Sequence, residues 1–329
     1  MTFPRPPRSS PVAALCLAAL ALSFCLPSSG QACDSSTCSL VTRGQNGLLG
    51  PGVFRLDLSY RYTDDTVPLD GSTDVAQVFL PKVRLETGTI EPRIHQDIKS
   101  AQSYLQLDFG YGITARTSLL VSLPVLVDHT ATVSHVGFVG DYETIGAGDL
   151  VVGARQFLGA GFVGGFSLKA PTGRDDTTGD YDGSILDPNL QPGTGGWGFV
   201  GSLQRGGKIG QVSWTVVGSY QANTANSYGY RFGGLGLVAL SAQKALAGDL
   251  SGSLQVKFVD EERSTLLGQG VPSTGSRIVY VAPGLSYHLN PEASIYGLVL
   301  FAPLRDMNEE QLGPHISVLF GISKTFRRQ

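Results

Sequence analysis

The feature that most constrains this chain is an alternation of apolar and polar residues that recurs from residue 53 almost to the C-terminus. In the first such stretch, residues 53–62 (VFRLDLSYRY), the even positions are all apolar or aromatic, and the odd positions from 55 onward are charged or carry a hydroxyl. A strand with this pattern has one apolar face and one charged face. A half-buried strand of a soluble sheet also alternates. The repetition favours a transmembrane β-barrel instead, because alternating segments of about ten residues separated by turns are typical of that fold.

Twelve alternating segments can be placed along the chain. Connections after odd-numbered segments are mostly long (63–101, 128–144, 171–193, 260–276 and 304–314), whereas those after even-numbered segments are short. This asymmetry and an even count are expected of an outer-membrane barrel, and closure is required because lipid cannot satisfy exposed backbone groups. The sequence therefore predicts an all-β fold, a single transmembrane antiparallel up-and-down β-barrel of about 12 strands. The segments are 53–62, 103–113, 117–127, 146–157, 162–170, 194–204, 209–221, 230–246, 249–259, 277–289, 293–303 and 315–326.

The N-terminus predicts a cleaved export signal. Arg5 and Arg8 precede an apolar stretch over residues 12–26, and cleavage after Ala32 would leave Cys33 first. A membrane anchor is the alternative, but the apolar stretch is short for a span. The predicted organisation is a signal peptide over 1–32, a periplasmic segment over 33–52, a barrel over 53–326 and a tail over 327–329.

Two of the four cysteines, Cys33 and Cys38, would remain after cleavage. Because exported proteins meet an oxidising compartment, a disulfide between them is the default prediction. Lipidation of Cys33 is the alternative, since the preceding residues partly resemble a lipobox. Two cysteines without a nearby histidine fall short of a metal ligand set. The loop fragment at Asp180 and Asp182 resembles part of a calcium loop but lacks its first and last ligands. We predict neither a metal nor a cofactor.

Composition narrows the partners. Charged residues make up 16% of the chain and the net charge is -3, with no basic patch that would indicate a nucleic-acid partner. No apolar run of helix-spanning length follows the N-terminus. The expected partners are outer-membrane lipid, the barrel-assembly machinery and a small-molecule solute.

Three Gly-rich motifs fall on the fourth segment, the fifth segment and the start of the sixth. They are residues 146–155 (GAGDLVVGAR), 168–173 (LKAPTG) and 190–195 (LQPGTG). In this order and spacing they resemble the outer-membrane family named for the meta-cleavage pathway of phenol degradation, a set of transporter-like barrels. The resemblance covers most of the mature chain, and it implies an outer-membrane location and passage of small compounds, including aromatic ones. Lys324 and the three residues after Phe326 depart from the family's usual C-terminus.

The polar faces of the segments are expected to line the lumen. Opposed charges are one way in which pores discriminate solutes, so the charged members are candidates for selectivity. The alternative is a polar lumen in which charges on neighbouring strands only pair with one another. A one-residue error in phase would turn each candidate outward. The candidates are Arg55, Asp57, Arg61, Asp108, Asp149, Arg155, Lys169 and Lys257.

The predicted function is a channel or transporter in the cell outer membrane for passive passage of small solutes, aromatic or hydrophobic ones included. Twelve strands lie between a packed barrel of about eight strands and an open pore of about sixteen, so the lumen should be narrow. The alternative is a non-conducting structural or scaffolding barrel. A weaker alternative is an outer-membrane lipase that uses Ser286 and His288, which share a strand face. Their phase points inward and no orienting residue is evident, so we predict no enzyme.

Overall fold

The computed structural model describes residues 48–135, 138–179 and 183–327, and most of these residues lie in strands. The predicted signal peptide, Cys33 and Cys38 lie outside the described residues. A 3₁₀ helix spans Pro188–Leu190, and none of the helices described is long and apolar enough to cross a membrane. The strands are β1 (Val53–Asp70), β2 (Thr73–Asp74), β3 (Val78–Arg84), β4 (Thr89–Thr114), β5 (Thr117–His135), β6 (Phe138–Gly146), β7 (Leu150–Gly159), β8 (Phe162–Ala170), β9 (Gly198–Ile209), β10 (Val212–Asn223), β11 (Tyr230–Arg231), β12 (Leu235–Ala247), β13 (Leu250–Glu261), β14 (Thr265–Leu266), β15 (Gln269–Gly270), β16 (Ser276–Asn290), β17 (Ala293–Met307) and β18 (Glu310–Arg327).

Twelve of these strands form a closed antiparallel barrel, which confirms the predicted fold. Strand β1 closes it, because β1 pairs with β18 along one edge and with β4 along the other. Phe54, for example, lies opposite Phe326 on β18 and opposite Tyr111 on β4. Closure leaves none of the barrel strands with a free edge facing lipid along this seam. In chain order the barrel strands are β1, β4, β5, β7, β8, β9, β10, β12, β13, β16, β17 and β18.

Apolar side chains face outward and polar side chains face inward, as the alternation requires. On β1, Leu58 is 40% exposed, whereas Asp57 is 7% exposed. Aromatic rings strengthen the seam between β1 and β18. The ring centroids of Tyr60 and Phe320 are 5.2 Å apart. Such pairs contribute about 0.5–1.5 kcal/mol beyond the area that they bury.

The connections at the two ends of the barrel differ in length. After β4, β7, β9, β12 and β16 the chain turns within two residues, and we call this the short-turn end. The opposite, long-loop end carries the longer connections. Two predictions there were wrong. Residues 304–314 are not a loop, because β17 and β18 continue to a two-residue turn at Asn308 and Glu309. Residues 128–144 are largely strand as well, because β5 continues to His135 and pairs with β6.

The predicted polar connection 63–101 is also largely strand. β1 continues to Asp70, and β4 begins at Thr89 and pairs with β3. These extensions lie beyond the length needed to cross lipid, about 9–11 residues per strand. In water a paired strand does not need an apolar face, so the loss of alternation after Tyr62 marked the end of the lipid-facing part and not the end of the strand.

Loops from four places around the rim meet in one apolar cluster, which we call the lid core. Val83 and Leu85 come from β3 and its end, and Ile185 comes from the loop between β8 and β9. The remaining members, on or next to the small sheet β11-β14-β15, are Tyr230, Leu266 and Val271. Because these loops start on different sides of the barrel, their meeting point lies over the mouth at the long-loop end.

Candidate functional site

The charged residues singled out from the sequence lie on the inner side of the barrel wall. Six of the eight are buried, whereas most of their strand neighbours are apolar residues that are exposed or half-buried. Arg55 and Arg61 are half-buried. A part for these residues in solute selection stays a prediction. The six buried residues are Asp57, Asp108, Asp149, Arg155, Lys169 and Lys257.

Asp149 ties together three segments that are distant in the sequence. Its Oδ1 accepts a hydrogen bond of 3.0 Å from the backbone N–H of Gly173. Its Oδ2 accepts bonds from the backbone N–H of Thr194 at 3.0 Å and from the Thr194 hydroxyl at 2.6 Å. Lys169 Nζ lies 3.4 Å from the same oxygen and donates to Thr194 Oγ1 at 2.7 Å. Hydrogen bonds to a charged group are the strong ones, so this cluster, the Asp149 lock, holds both ends of loop 171–197 against the wall.

Glycines let the three motifs approach one another this closely. A Cβ on Gly193 would lie 2.3 Å from the backbone carbonyl of Gly173. A Cβ on Gly148 would lie 3.0 Å from Pro124, and one on Gly146 would lie 3.1 Å from Pro192. The motifs recognised in the sequence are therefore the parts that build the lock, and their glycines leave room for the close approach of Gly173 to Gly193 and for the rings of Pro124 and Pro192.

Two aspartates face each other on neighbouring strands. Asp57 on β1 lies directly opposite Asp108 on β4. Like charges in this position repel each other, and polar neighbours offset the repulsion. The Tyr296 hydroxyl donates to Asp57 Oδ1 at 2.8 Å, and the Gln106 amide donates to Asp108 Oδ1 at 2.8 Å.

The chain just before β1 enters the barrel at the short-turn end. The N–H of Leu49 donates to Ser118 Oγ at 2.9 Å, and the N–H of Gly52 donates to the Gly112 carbonyl at 2.9 Å. The Leu49 side chain is buried, and it occupies the space that a Cβ on Gly110 would fill. Residues 49–52 therefore line the inside of the wall and narrow this end of the lumen.

The opposite wall of the lumen carries two apolar clusters among mostly uncharged polar residues, which the sequence reasoning missed. One cluster, Val200, Val217, Leu237 and Ala239, faces inward from β9, β10 and β12. A second faces inward from β16, β17 and β18. The sequence did contain a signal for these clusters, because few of the inward positions on these strands are charged. The members of the second cluster are Ala282, Leu300 and Leu319, packed with Tyr280, Tyr296 and Leu298.

Below the lid core lies a group of buried ionisable side chains. Lys82, only 1% exposed, donates from Nζ to the Ile185 carbonyl at 3.1 Å, and its Nζ is 3.8 Å from Asp187 Oδ1. The N–H of Val83 donates to the same oxygen at 2.8 Å. Nearby, His95 Nε2 lies 3.2 Å from Asp97 Oδ1. These contacts join the β3–β4 hairpin to loop 171–197.

Two of the titratable groups at this junction, Asp187 and His95, have raised pKa values. Burial raises the pKa of Asp187, and the nearby Lys82 and His95 offset only part of that rise. Burial by itself lowers the pKa of His95, but the hydrogen bond and charge of Asp97 outweigh it, so the pKa of His95 is raised. His95 and Asp187 lie at the long-loop end, in the extension of β4 and in loop 171–197.

We expect acidification to tighten this junction. A pKa raised in the closed state means that closing takes up protons, so closing is favoured at low pH and this stabilisation is lost as the pH rises through the raised pKa values. The protection of residues 184–190 from hydrogen exchange, taken relative to the intrinsic exchange rate at each pH, should therefore be greater at about pH 5 than at about pH 8, the range in which histidine titrates. The His95→Gln variant should show a smaller difference in protection. Weaker protection at the lower pH would contradict the prediction.

Comparison with known proteins addresses the fold. No protein-family model and no curated protein sequence matches the chain. Membership in the meta-cleavage family therefore stays a prediction. A crystal structure of an outer-membrane channel from Pseudomonas putida F1 matches with a TM-score of 0.54 at 14% identity, covering 85% of this chain and 97% of that one. The fold is that of an outer-membrane barrel. The P. putida toluene transporter TodX matches with a TM-score of 0.46 at 12% identity, covering 85% of this chain and 92% of that one.

The structure gives the lipase alternative no support. Ser286 Oγ lies 3.2 Å from the side-chain amide nitrogen of Gln243, which donates to it. In the described part of the chain no group of three metal-ligating side chains comes together, and Asp180 and Asp182 lie outside that part.

Proposed function

We propose that this protein is a passive channel of the outer membrane for small solutes, including aromatic or hydrophobic ones. The observation that carries the proposal is the divided lining of a closed barrel. Charged residues such as Asp108 and Asp149 lie on β4 and just before β7, while apolar clusters lie on β9, β10 and β12 and on β16 to β18. A barrel that served only as a scaffold would need neither wall, because an inner face packed with side chains would be enough.

The arrangement of the inner face favours a narrow passage and not a wide one. Loop 171–197 is fixed to the wall by the Asp149 lock, and Leu49 fills space at the short-turn end. Pores that leave a wide aqueous channel have about sixteen or more strands. Twelve strands with these obstructions suit small solutes.

The proposal includes the cellular setting. An exported chain reaches the outer membrane through its signal peptide, is inserted by the barrel-assembly machinery and is surrounded by lipid. Exposed apolar side chains on the outer face, among them Phe166, Leu254 and Phe320, are consistent with lipid contact. The net charge of -3 does not favour binding to nucleic acid, which needs a basic surface.

Osmotic swelling of liposomes tests the proposal. Refolded protein should let liposomes that contain the potassium carrier valinomycin swell in isotonic potassium benzoate at a pH where benzoate is charged and crosses lipid slowly, because the carrier lets potassium enter with the benzoate. The same liposomes should not swell in a large sugar such as raffinose, and empty liposomes should not swell in either. If protein-containing liposomes behave like empty ones, the channel proposal fails.

A non-conducting scaffold is the second candidate, and the lid core favours it. Four loops meet over the mouth at the long-loop end, with Val271 and Leu266 fully buried there. A permanently closed lid would leave the barrel silent. The swelling experiment separates the two candidates, because only a channel admits benzoate.

A further inference from the structure

A groove of about 530 Å³ lies on the outer face of the barrel, and we call it the seam groove. It crosses β1, β18, β17 and β16, so it includes the seam at which the barrel closes. Small-molecule sites span about 300–1,000 Å³, and the groove falls within that range. Most of its lining is apolar and faces outward, so the groove opens toward lipid. Its exposed apolar members are Leu58, Leu285, Tyr287, Ile295, Phe320 and Ile322.

Gly297 on β17 makes room in the floor of the seam groove. In the strand register it lies directly between Leu285 on β16 and Phe320 on β18, so two large side chains flank a position that has none. The backbone does not require glycine here, because the φ angle of Gly297 is not positive. Within 4 Å, a Cβ at this position would meet only the Leu319 carbonyl, at the ordinary contact distance of 3.6 Å. The missing side chain therefore leaves space that the described part of the chain does not fill.

Lys324 lies at the short-turn end of the seam groove. It follows Ile322 by two residues on β18, so both side chains are on the outer face, and Lys324 is exposed. Its ammonium is 5.1 Å from the centre of the Phe326 ring. Glu292 lies in the turn whose carbonyl accepts the N–H of Thr325, but no ion pair joins Glu292 to Lys324. The ion pairs within the described residues all involve other cations, so no acid there neutralises Lys324.

The level of Lys324 in the membrane defines what its ammonium can meet. In outer-membrane barrels the short turns are on the periplasmic side. Long lysine side chains near the ends of spanning segments extend toward the interface, and phospholipid phosphates lie at that level. A lysine close to such a surface attracts anionic lipid.

The seam groove and Lys324 together suit one kind of lipid. An acyl chain in the groove gains by close packing and not by leaving water, because the surrounding lipid is equally apolar. Packing alone accepts the chain of any phospholipid. The ammonium adds a preference, since the phosphate of a zwitterionic headgroup already has a cation beside it and that of an anionic headgroup does not.

We propose that the seam groove binds one anionic phospholipid of the periplasmic leaflet, with an acyl chain over Gly297 and the phosphate at Lys324. The lipid would contact β1 on one side of the closing seam and β18 on the other, and so stabilise the closed barrel. This inference goes beyond the channel function. It needs the outer-membrane location of the barrel but not the passage of solutes.

Native mass spectrometry of the refolded mature barrel measures which lipid is retained. The protein in detergent is given equal amounts of phosphatidylglycerol and phosphatidylcholine with the same acyl chains. We expect one phosphatidylglycerol molecule to be retained in preference to phosphatidylcholine. Equal retention of the two lipids would overturn the proposal.

Two variants and a matched control locate the site. Lys324→Gln should lower retention of phosphatidylglycerol about fivefold, as expected for one lysine at an anionic lipid surface, and leave phosphatidylcholine unchanged. Gly297→Leu fills the groove and should lower retention of both lipids. In the control, Arg205→Gln removes a cation on β9, across the barrel, that lies 4.9 Å from the Phe162 ring, and it should change neither lipid. If Lys324→Gln and Arg205→Gln lower phosphatidylglycerol equally, surface charge alone retains the lipid and the seam groove has no part in it.

The lipid result and the channel result are independent. Selective retention of phosphatidylglycerol without liposome swelling would support the seam groove and reject the channel. Swelling without selective retention would support the channel and reject the lipid site. A heat-modifiable gel shift on each variant confirms that a folded barrel was measured.

Discussion

The Asp149→Asn variant should release loop 171–197 from the barrel wall and increase the conductance. Asn has one acceptor oxygen where the carboxylate uses two, and its amide would meet the N–H of Gly173 or Thr194. The substitution also leaves the Lys169 ammonium buried without its counter-charge. Breaking one side of a buried ion pair costs about 3–5 kcal/mol. Trypsin should then cleave after Arg174, whose carbonyl is bonded to Gly193 in the locked loop.

A matched control separates the lock from a general loss of charge. Asp141 on β6 is an exposed aspartate that accepts a hydrogen bond from Thr132. Asp141→Asn should change stability by less than about 0.5 kcal/mol and leave cleavage after Arg174 unchanged. The double variant Asp149→Asn, Lys169→Met should recover part of the lost stability, because it removes the unpaired buried charge. If Asp149→Asn and Asp141→Asn behave alike, Asp149 does not hold the loop.

The Phe320→Arg variant should destabilise the folded barrel by about 2–4 kcal/mol, the cost of an arginine near the middle of the lipid-facing band. Phe320 is exposed on the outer face of β18 and packs against Tyr60. Denaturant titration of the barrel refolded in lipid vesicles measures the free energy of unfolding.

Phe326→Arg is the matched control, on the same strand but six residues closer to the short-turn end. Phe326 also packs against one aromatic ring, that of Phe54, at a centroid distance of 5.5 Å. Near the interface an arginine costs only about 0–1 kcal/mol, so this variant should be much the milder of the two. Equal costs at both positions would mean that the outer face does not sit in lipid with the short-turn end at an interface.

Most of the barrel can be predicted from the sequence, because a strand that crosses lipid alternates between apolar residues that face outward and polar residues that face inward. The segment predicted over 162–170 has the bounds of β8, and the predicted start of the eleventh segment, residue 293, is the start of β17. The rule fails where lipid ends. The extension of β1 to Asp70 and the long hairpin of β17 and β18 carry no lipid-facing band, and their apolar residues, such as Leu69 and Met307, pack in a small buried cluster instead, so alternation did not mark them.

The inner architecture was less accessible from the sequence. Asp149 and Lys169 were recognised as inward charges, but the lock depends on Thr194, which lies 45 residues beyond Asp149 and outside any regular strand. The lid core likewise joins loops whose partners no periodicity identifies. The apolar wall was visible in principle, since inward positions such as Val217 and Leu237 carry no charge. It went unrecognised because polar lumen faces are the usual expectation for such barrels.

Single-channel conductance in a planar bilayer tests the central claim most directly. The refolded mature protein, checked by its heat-modifiable gel shift, should give small discrete current steps, and Asp149→Asn should give larger ones. A barrel that is folded by the gel assay and remains silent, both as the wild type and as Asp149→Asn, would contradict the channel and leave the scaffold as the function of this fold.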